Sequence, residues 1–188
     1  MARPRSEDKR DAIMAAAVRV IAAQGLSAPT ALIAKEASVS NGSLFTYFET
    51  KADLLNQLYI ELKAEMAATA LDGLPAGADT RKHMLSCWSH WLRWATAYPE
   101  KRRTLAHLSV SDDITAESRR MGHRTMAGIA ELLERSRANG PMRDAPLGFV
   151  VALMSATAEA TIEFMLHDPA DADKHSLTGF DAVWRMIA

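Results

Sequence analysis

Apolar positions recur along this chain at three- and four-residue intervals and almost nowhere in strict alternation. That spacing marks amphipathic helices, because residues i, i+3, i+4 and i+7 share one helical face. Ile13, Ala16, Ala17, Val20 and Ile21 form the first stripe. Ser6 is a candidate cap before it, Glu7 and Asp8 suit its first turn, and Gly25 is a natural stop. A short second helix follows Thr30, with Ile33, Ala34 and Ala37 inward. Ser38-Val39-Ser40 is a tight connection, and Ser40 caps a third short helix through Phe48. Thr50 to Asp53 has the form of a capping box with aspartate in the glutamate place. It opens a long fourth helix whose inner face is Leu54, Leu55, Leu58, Leu62 and Met66.

Asp72 to Gly77 is a loop by composition. Met84, Leu85, Trp88, Trp91, Leu92 and Ala95 then stripe a fifth helix, and Pro99 opens a sixth after Tyr98. Ser111-Asp112-Asp113 caps a seventh, with Ile114, Ser118, Met121, Thr125, Ile129, Leu132 and Leu133 inward, and Asn139-Gly140-Pro141 ends it. An eighth helix runs from about Pro146 to Leu166, and a ninth carries Leu177, Phe180, Trp184 and Ile187. The pattern predicts an all-α chain of about nine helices.

Composition narrows the class. Of 188 residues, 48% are apolar, enough to bury a core and to exclude wholesale disorder. Cys87 is the one cysteine, so an intramolecular disulfide is impossible. No run approaches the ~18 apolar residues of a membrane span. The charged N-terminus leads into an alanine-rich helix, not a signal-peptide core, so a soluble cytoplasmic protein is expected. The net charge of -1 excludes a uniformly basic nucleic-acid coat. The charge is uneven, however: residues 1–51 hold seven lysines or arginines against five acids, +2, and the remainder fifteen against eighteen, -3. The positive end is where the short helices lie.

Two short helices joined by about three residues read as a helix-turn-helix. A recognition helix must expose small or polar side chains early, because its N-terminal turn enters the major groove. Asn41, Gly42 and Ser43 do that. Asparagine can pair bidentately with adenine, and serine can bond a base or a phosphate. Gly42 costs about 1 kcal/mol of helix propensity, for which close approach of backbone to DNA would compensate. Leu44 and Phe48, four apart, are expected to pack inward, and Phe45 and Tyr47 to project toward the DNA backbone. Lys51 stands in the first turn of helix four, where the dipole favours an acid; a cation there suggests an external phosphate. Thr30 offers a second phosphate a hydroxyl and a helix start. Arg3 and Arg5, ahead of the first helix, suit either a solvated tail or an arm toward the backbone or minor groove.

The run Val39-Ser40-Asn41-Gly42-Ser43-Leu44-Phe45-Thr46-Tyr47-Phe48, followed by Lys51 and Leu54-Leu55 and preceded by Thr30, Ile33, Ala34 and Ala37, resembles the DNA-binding domain of the TetR family of bacterial transcription regulators. The resemblance covers roughly the first 60 residues. It implies a three-helix DNA-binding domain over 1–51 and a helical ligand-binding and dimerisation domain over 52–188. The DNA-binding residues it implies are Thr30, Ser40, Asn41, Gly42, Ser43, Phe45, Tyr47 and Lys51. Two positions depart from the family pattern. Phe45 replaces the commoner tyrosine and loses a phenol–phosphate bond. Ala31 replaces the base-reading arginine of some members.

Helix eight carries two apolar stripes: Phe149, Leu153, Ala156, Ala160 and Phe164, and Val151, Met154, Ala158, Ile162 and Met165. A helix apolar on two faces must be covered twice. One face can pack on its own core, and the other can take a neighbouring helix or a second copy. Family members pair through their last two helices, which places Phe149, Leu153, Ala156, Ala160, Phe164, Phe180 and Trp184 at a homodimer interface. Twofold symmetry then calls for a near-palindromic double-stranded operator. The resemblance also implies a small-molecule effector in a cavity of helices four to eight, with Met66, Trp88, Trp91, Leu105, Met121 and Met154 as candidate lining or plain core. Glu159 and Glu163, with Ser155, form a stripe that is either solvated or a cation-favouring wall.

His83 and Cys87 share a helix side, but no third ligand follows in sequence, so neither a metal nor another cofactor is expected. A helical-bundle enzyme is a competing reading. Against it, the chain has no Gly-rich phosphate loop, no His-Glu-x-x-His and no Gly-x-Ser-x-Gly. The leading expectation is a repressor released from DNA by its effector, with an activator or a ligand-independent regulator as alternatives.

Overall fold

A computed structural model describes residues 5–75, 77 and 79–188 of the chain. The described residues form ten α-helices and no strand: α1 (Arg5–Gln24), α2 (Thr30–Glu36), α3 (Asn41–Leu44), α4 (Lys51–Leu71), α5 (Thr80–Ala97), α6 (Pro99–Ser109), α7 (Ala116–Thr125), α8 (Ala127–Arg137), α9 (Leu147–His167) and α10 (Ala172–Ile187). A 3-10 turn, Pro169–Asp171, joins the last two. The all-α class read from the periodicity is therefore what the chain adopts.

The chain falls into two compact units. The first comprises Met1–Ala64 and Tyr98–Arg124, so it is larger than the 1–51 segment. Within it α1 packs on α2 and α6, and α2 on α3. The predicted stripes meet in one core: Ile13, Ala16, Ala17, Ile21, Ile33, Ala34, Leu44, Phe48, Leu54 and Leu58 are all buried. Each large aliphatic side chain so buried contributes about 1.5–3 kcal/mol. Gly25 ends α1 at φ +76, a left-handed conformation that suits glycine, and its N–H donates to the Ile21 carbonyl at 2.8 Å.

Two buried polar side chains fix neighbouring elements of this unit. Thr104 of α6 donates its hydroxyl to the Val18 carbonyl of α1 at 2.9 Å. Asn56 of α4 donates to the Asp113 carbonyl at 2.8 Å and accepts from the Thr115 N–H at 2.9 Å. The Thr115 hydroxyl in turn caps α7 by accepting the Ser118 N–H.

The second unit comprises Glu65–Ala97 and Thr125–Ala188. Here α5 packs on α8, α9 and α10, and α9 on α10. The Trp88 indole N–H donates to the Ser176 carbonyl at 3.0 Å, tying α5 to α10. Arg137, buried at the end of α8, donates to the carbonyls of Met142, Arg143 and Ala145 and pairs with Glu134. It shapes the connection to α9.

Four details differ from the sequence reading. The helix is already under way at Arg5, ahead of the candidate cap Ser6. The third helix is one turn long, with turns from Phe45 to Tyr47. The single helix read from the Ser111–Asp113 cap to the stop at Asn139-Gly140-Pro141 is two, broken at Met126, where φ is -90 and ψ 2. The low-propensity residues Gly122 and Gly128 flank the break. Finally, by length and composition α9 is long and apolar enough to cross a membrane, contrary to the expectation. Its Val150, Met154, Ala158, Ile162 and Met165 are buried within the unit, whereas Val151, read as part of that stripe, is exposed.

Candidate nucleic-acid interface

The reading head is set up by local chemistry. Ser40 takes an extended conformation, φ -73 and ψ 152, and its Oγ accepts the Ser43 N–H at 3.0 Å, the N-cap the sequence called for. The same hydroxyl donates to Ser43 Oγ at 3.1 Å. Ser40 thus shapes the turn from within. Before it, Ser38 takes φ +56. The Val39 N–H returns to the Ala34 carbonyl at 2.9 Å, which closes the corner between α2 and α3.

Leu44 and Phe48 are fully buried, four residues apart, and hold this turn on the core. The opposite side is open. Asn41, Gly42 and Thr46 are exposed, Phe45 is 41% exposed, and Ser43 and Tyr47 are half-buried. Thr46, which the sequence reading passed over, donates its hydroxyl to the Ser43 carbonyl at 2.6 Å and widens the polar face. Its signal was its place between Phe45 and Tyr47, outside the buried Leu44–Phe48 register. Thr30, the first residue of α2, is half-buried beside exposed Ala31.

The base of the head is braced by α4. Thr50 Oγ1 accepts the Asp53 N–H at 3.0 Å, and the Asp53 carboxylate accepts the Glu49 N–H at 3.1 Å, so the capping box forms one residue wider than read. Gln57 donates to Asp53 at 2.9 Å, and Arg10 of α1 donates to Gln57 at 2.9 Å and pairs with Glu61. Lys51 donates its ammonium to the Leu26 carbonyl at 2.6 Å. The cation against the α4 dipole therefore has an internal partner in addition to any phosphate. The first unit holds fourteen lysines and arginines against eleven acids, and the second eight against twelve. The positive excess thus stays with the reading head. Arg3 lies outside the described residues, and of Arg5 only the backbone at the start of α1 is described.

The other candidates fall as follows. On α9, Phe149 is 53% and Phe164 62% exposed, Ala156 and Ala160 are exposed, and Leu153 is half-buried. Phe180 corrects the interface set. Its ring is fully buried within its own chain, with the Arg81 guanidinium 5.3 Å from its centroid and Trp184 stacked at 5.9 Å, so it is a core residue and not a contact surface. Among the lining candidates, Leu105 and Met121 belong to the first unit and Met66, Trp88, Trp91 and Met154 to the second. Met121 is exposed, which turns it away from a core. Trp88 meets Trp91 edge-on at 5.8 Å. Ser155 is half-buried, and Glu159 and Glu163 are exposed.

Among the described residues no three His, Cys, Asp or Glu side chains cluster as a metal site. His83 bonds the Pro75 carbonyl at 2.8 Å, and burial pushes the Cys87 thiol up to about 11. Residues 13–58 match the family model described as bacterial regulatory proteins, tetR family. Most of the chain superposes on known structures. A protein assigned to the tetR family of transcription regulators from Shewanella sp. PV-4 shares 27% identity, covering 94% of this chain and 96% of that one, with a TM-score of 0.83. A TetR family transcription regulator from Marinobacter aquaeolei VT8 gives 23% identity, 97% coverage of each chain and a TM-score of 0.80. The transcriptional regulator FadR from Bacillus subtilis, solved in complex with stearoyl-CoA, gives 18%, 95% and 100% coverage, and 0.71.

Proposed function

We infer that this chain, which belongs to the tetR family of bacterial regulatory proteins, is a repressor that binds a near-palindromic operator as a homodimer and leaves it when a small-molecule effector binds. It is a DNA-binding transcription regulator and not an enzyme. One observation carries it: the turn from Ser40 to Phe48 is capped by Ser40 and anchored by Leu44 and Phe48, while Asn41 and Gly42 stay exposed.

Asn41 reads a base edge, and Gly42 lets the backbone approach. Ser43, Phe45, Tyr47 and Thr30 position the head on the sugar-phosphate chain. Ser40 holds the turn's shape, and Lys51 contributes charge near the backbone. We take 1–51 as the DNA-binding segment and 52–188 as the effector and dimer domain, working in the cytoplasm. The exposed Phe149–Phe164 stripe of α9 takes a second copy. A single head makes too few contacts for useful operator affinity, whereas two related by a twofold axis read two half-sites. The fold neighbour solved with stearoyl-CoA supports a scaffold that accommodates a small-molecule ligand.

The test is duplex binding as a function of salt and sequence. Affinity should fall steeply with salt while one sequence stays preferred. Lys51→Ala should weaken binding to all sequences alike, and Asn41→Ala should change which sequence is preferred. Identical behaviour of the two variants refutes the division of roles. Operator affinity that no small molecule alters refutes effector release.

A further inference from the structure

The middle of α4 carries a lysine the DNA-reading face does not use. Lys63 is half-buried, and its ammonium lies 5.9 Å from the centroid of the Tyr59 ring one turn earlier. Tyr59 is itself 97% buried. Among the described residues neither the Lys63 ammonium nor the Tyr59 hydroxyl has a hydrogen-bond or ion-pair partner. Neither the Lys63 Nζ nor the Tyr59 Oη is among the buried polar atoms that lack a partner, so both donors reach the surface and are open to a ligand.

The surroundings are positive. Arg119 of α7 acts on Tyr59 through its charge, and it is held in place by the Ser109 carbonyl at 2.9 Å and the Ser111 carbonyl at 2.7 Å. One turn further on, α7 comes so close that a Cβ on Gly122 would stand 2.7 Å from the Tyr59 ring. The residue there has to be small for α7 to seat on Tyr59. Glu61, two residues from Lys63, is engaged by Arg10. Burial lowers the Lys63 proton affinity and raises that of Tyr59, and no carboxylate acts on either group. Two cations thus bear on one phenol, Lys63 from its own helix and Arg119 from α7.

We propose that Lys63 and Tyr59, backed by the charge of Arg119, form a binding point for the carboxylate or phosphate of a small organic anion. An ammonium and a phenolic hydroxyl both donate to an oxyanion, and such charge-assisted bonds are stronger than neutral ones. The Tyr59 ring next to the ammonium offers an apolar surface to the body behind the charged group. The assignment rests on the effector-responsive reading above and names the ligand class for it.

The test uses the full chain with octanoate, octyl phosphate and octan-1-ol as probes. Binding is followed through the carbon-13 signal of dimethylated Lys63, identified by its loss in Lys63→Arg. An anionic probe should move this signal, and octan-1-ol should not. By calorimetry on unmethylated protein, Lys63→Met should weaken the anion about 10- to 100-fold, the loss of one charge-assisted bond, and Lys63→Arg should recover part of it. Thermal melts of each variant establish that it is folded. Preference for octanoate or for octyl phosphate identifies the head group. Binding of octan-1-ol as tight as the anions, anion binding untouched in folded Lys63→Met, or a Lys63 signal that neither anion moves overturns the proposal. Operator binding is measured separately. Anion binding at Lys63 without DNA release leaves this site standing and removes the effector model, whereas DNA release by an anion that persists in Lys63→Met does the reverse.

Discussion

The guanidinium of Arg10 lies 5.7 Å from the centroid of the Phe48 ring. Phe48 is the buried anchor of the turn from Asn41 to Tyr47, so an α1 cation closes the core directly behind that exposed turn. The same guanidinium bonds Gln57 and pairs with Glu61, and Gln57 continues to Asp53 and the Glu49 N–H. Arg10 therefore acts inward although it belongs to the basic N-terminal segment. Arg10→Ala should lower stability by about 1 kcal/mol, since its ion pair is partly exposed and its ring contact modest. Operator affinity should fall while the salt dependence keeps its slope. A slope reduced as for a lost phosphate contact would make Arg10 a DNA ligand instead.

Asn56 supports a larger prediction. Its amide is buried and uses three bonds: to the carbonyls of Ala52 at 2.7 Å and Asp113 at 2.8 Å, and from the Thr115 N–H. Asn56→Leu removes them and leaves backbone groups unsatisfied, at about 1–3 kcal/mol. Thermal unfolding should drop by several degrees, at about 2–4 °C per kcal/mol for a chain of this size. An unchanged melting temperature would show that water replaces these bonds.

The turn before the reading helix offers the opposite sign. Ser38 holds φ +56, where a side chain is strained by about 1–3 kcal/mol and glycine is not. Ser38→Gly should raise stability by a few tenths to about 1 kcal/mol, less than the strain because glycine also loosens the unfolded chain. Chemical denaturation measures this directly. A destabilised variant would mean that the serine makes the turn for a reason other than its backbone.

These pairings separate what periodicity reveals from what it hides. The stripes Ile13–Ile21 and Leu54–Leu62 were legible because one buried face repeats every turn. The shape of the Ser40–Phe48 turn was legible because the Ser40 cap and the Leu44–Phe48 spacing are local. Arg10 meets Gln57 across 47 residues, and no short pattern announces such a contact. The break at Met126 was missed because apolar residues keep helical register through it. Phe180 was misplaced because an apolar ring on an amphipathic helix looks the same whether its own chain or a partner covers it.

Cys87 gives a pH prediction. Burial raises its thiol to about 11 from an ordinary value near 9. The native state therefore holds its proton where the unfolded chain has lost it. Stability from this group is intact below about pH 8 and falls as pH rises through the window from 9 to 11. Labelling by an aromatic disulfide at pH 8 should be slow in native protein and prompt in denaturant. Rapid native labelling would mean that the α5 face carrying Cys87 opens readily.

The last prediction separates interface from core on α9 and α10. Phe164 is 62% exposed and lies 5.8 Å from the His175 ring, while Phe180 is fully buried. Phe164→Glu removes an exposed apolar surface and sets two like charges facing across a twofold axis, so it should act on assembly and spare the fold of each subunit. Sedimentation should show wild-type protein at twice the 20.6 kDa chain mass and the variant at that mass. Operator affinity should fall with it, because one head alone binds one half-site. Phe180→Ala instead empties core volume and should cost about 3–5 kcal/mol of stability. If Phe164→Glu stays paired with full operator affinity, α9 is not where two copies meet, and the exposed stripe from Phe149 to Phe164 needs another occupant.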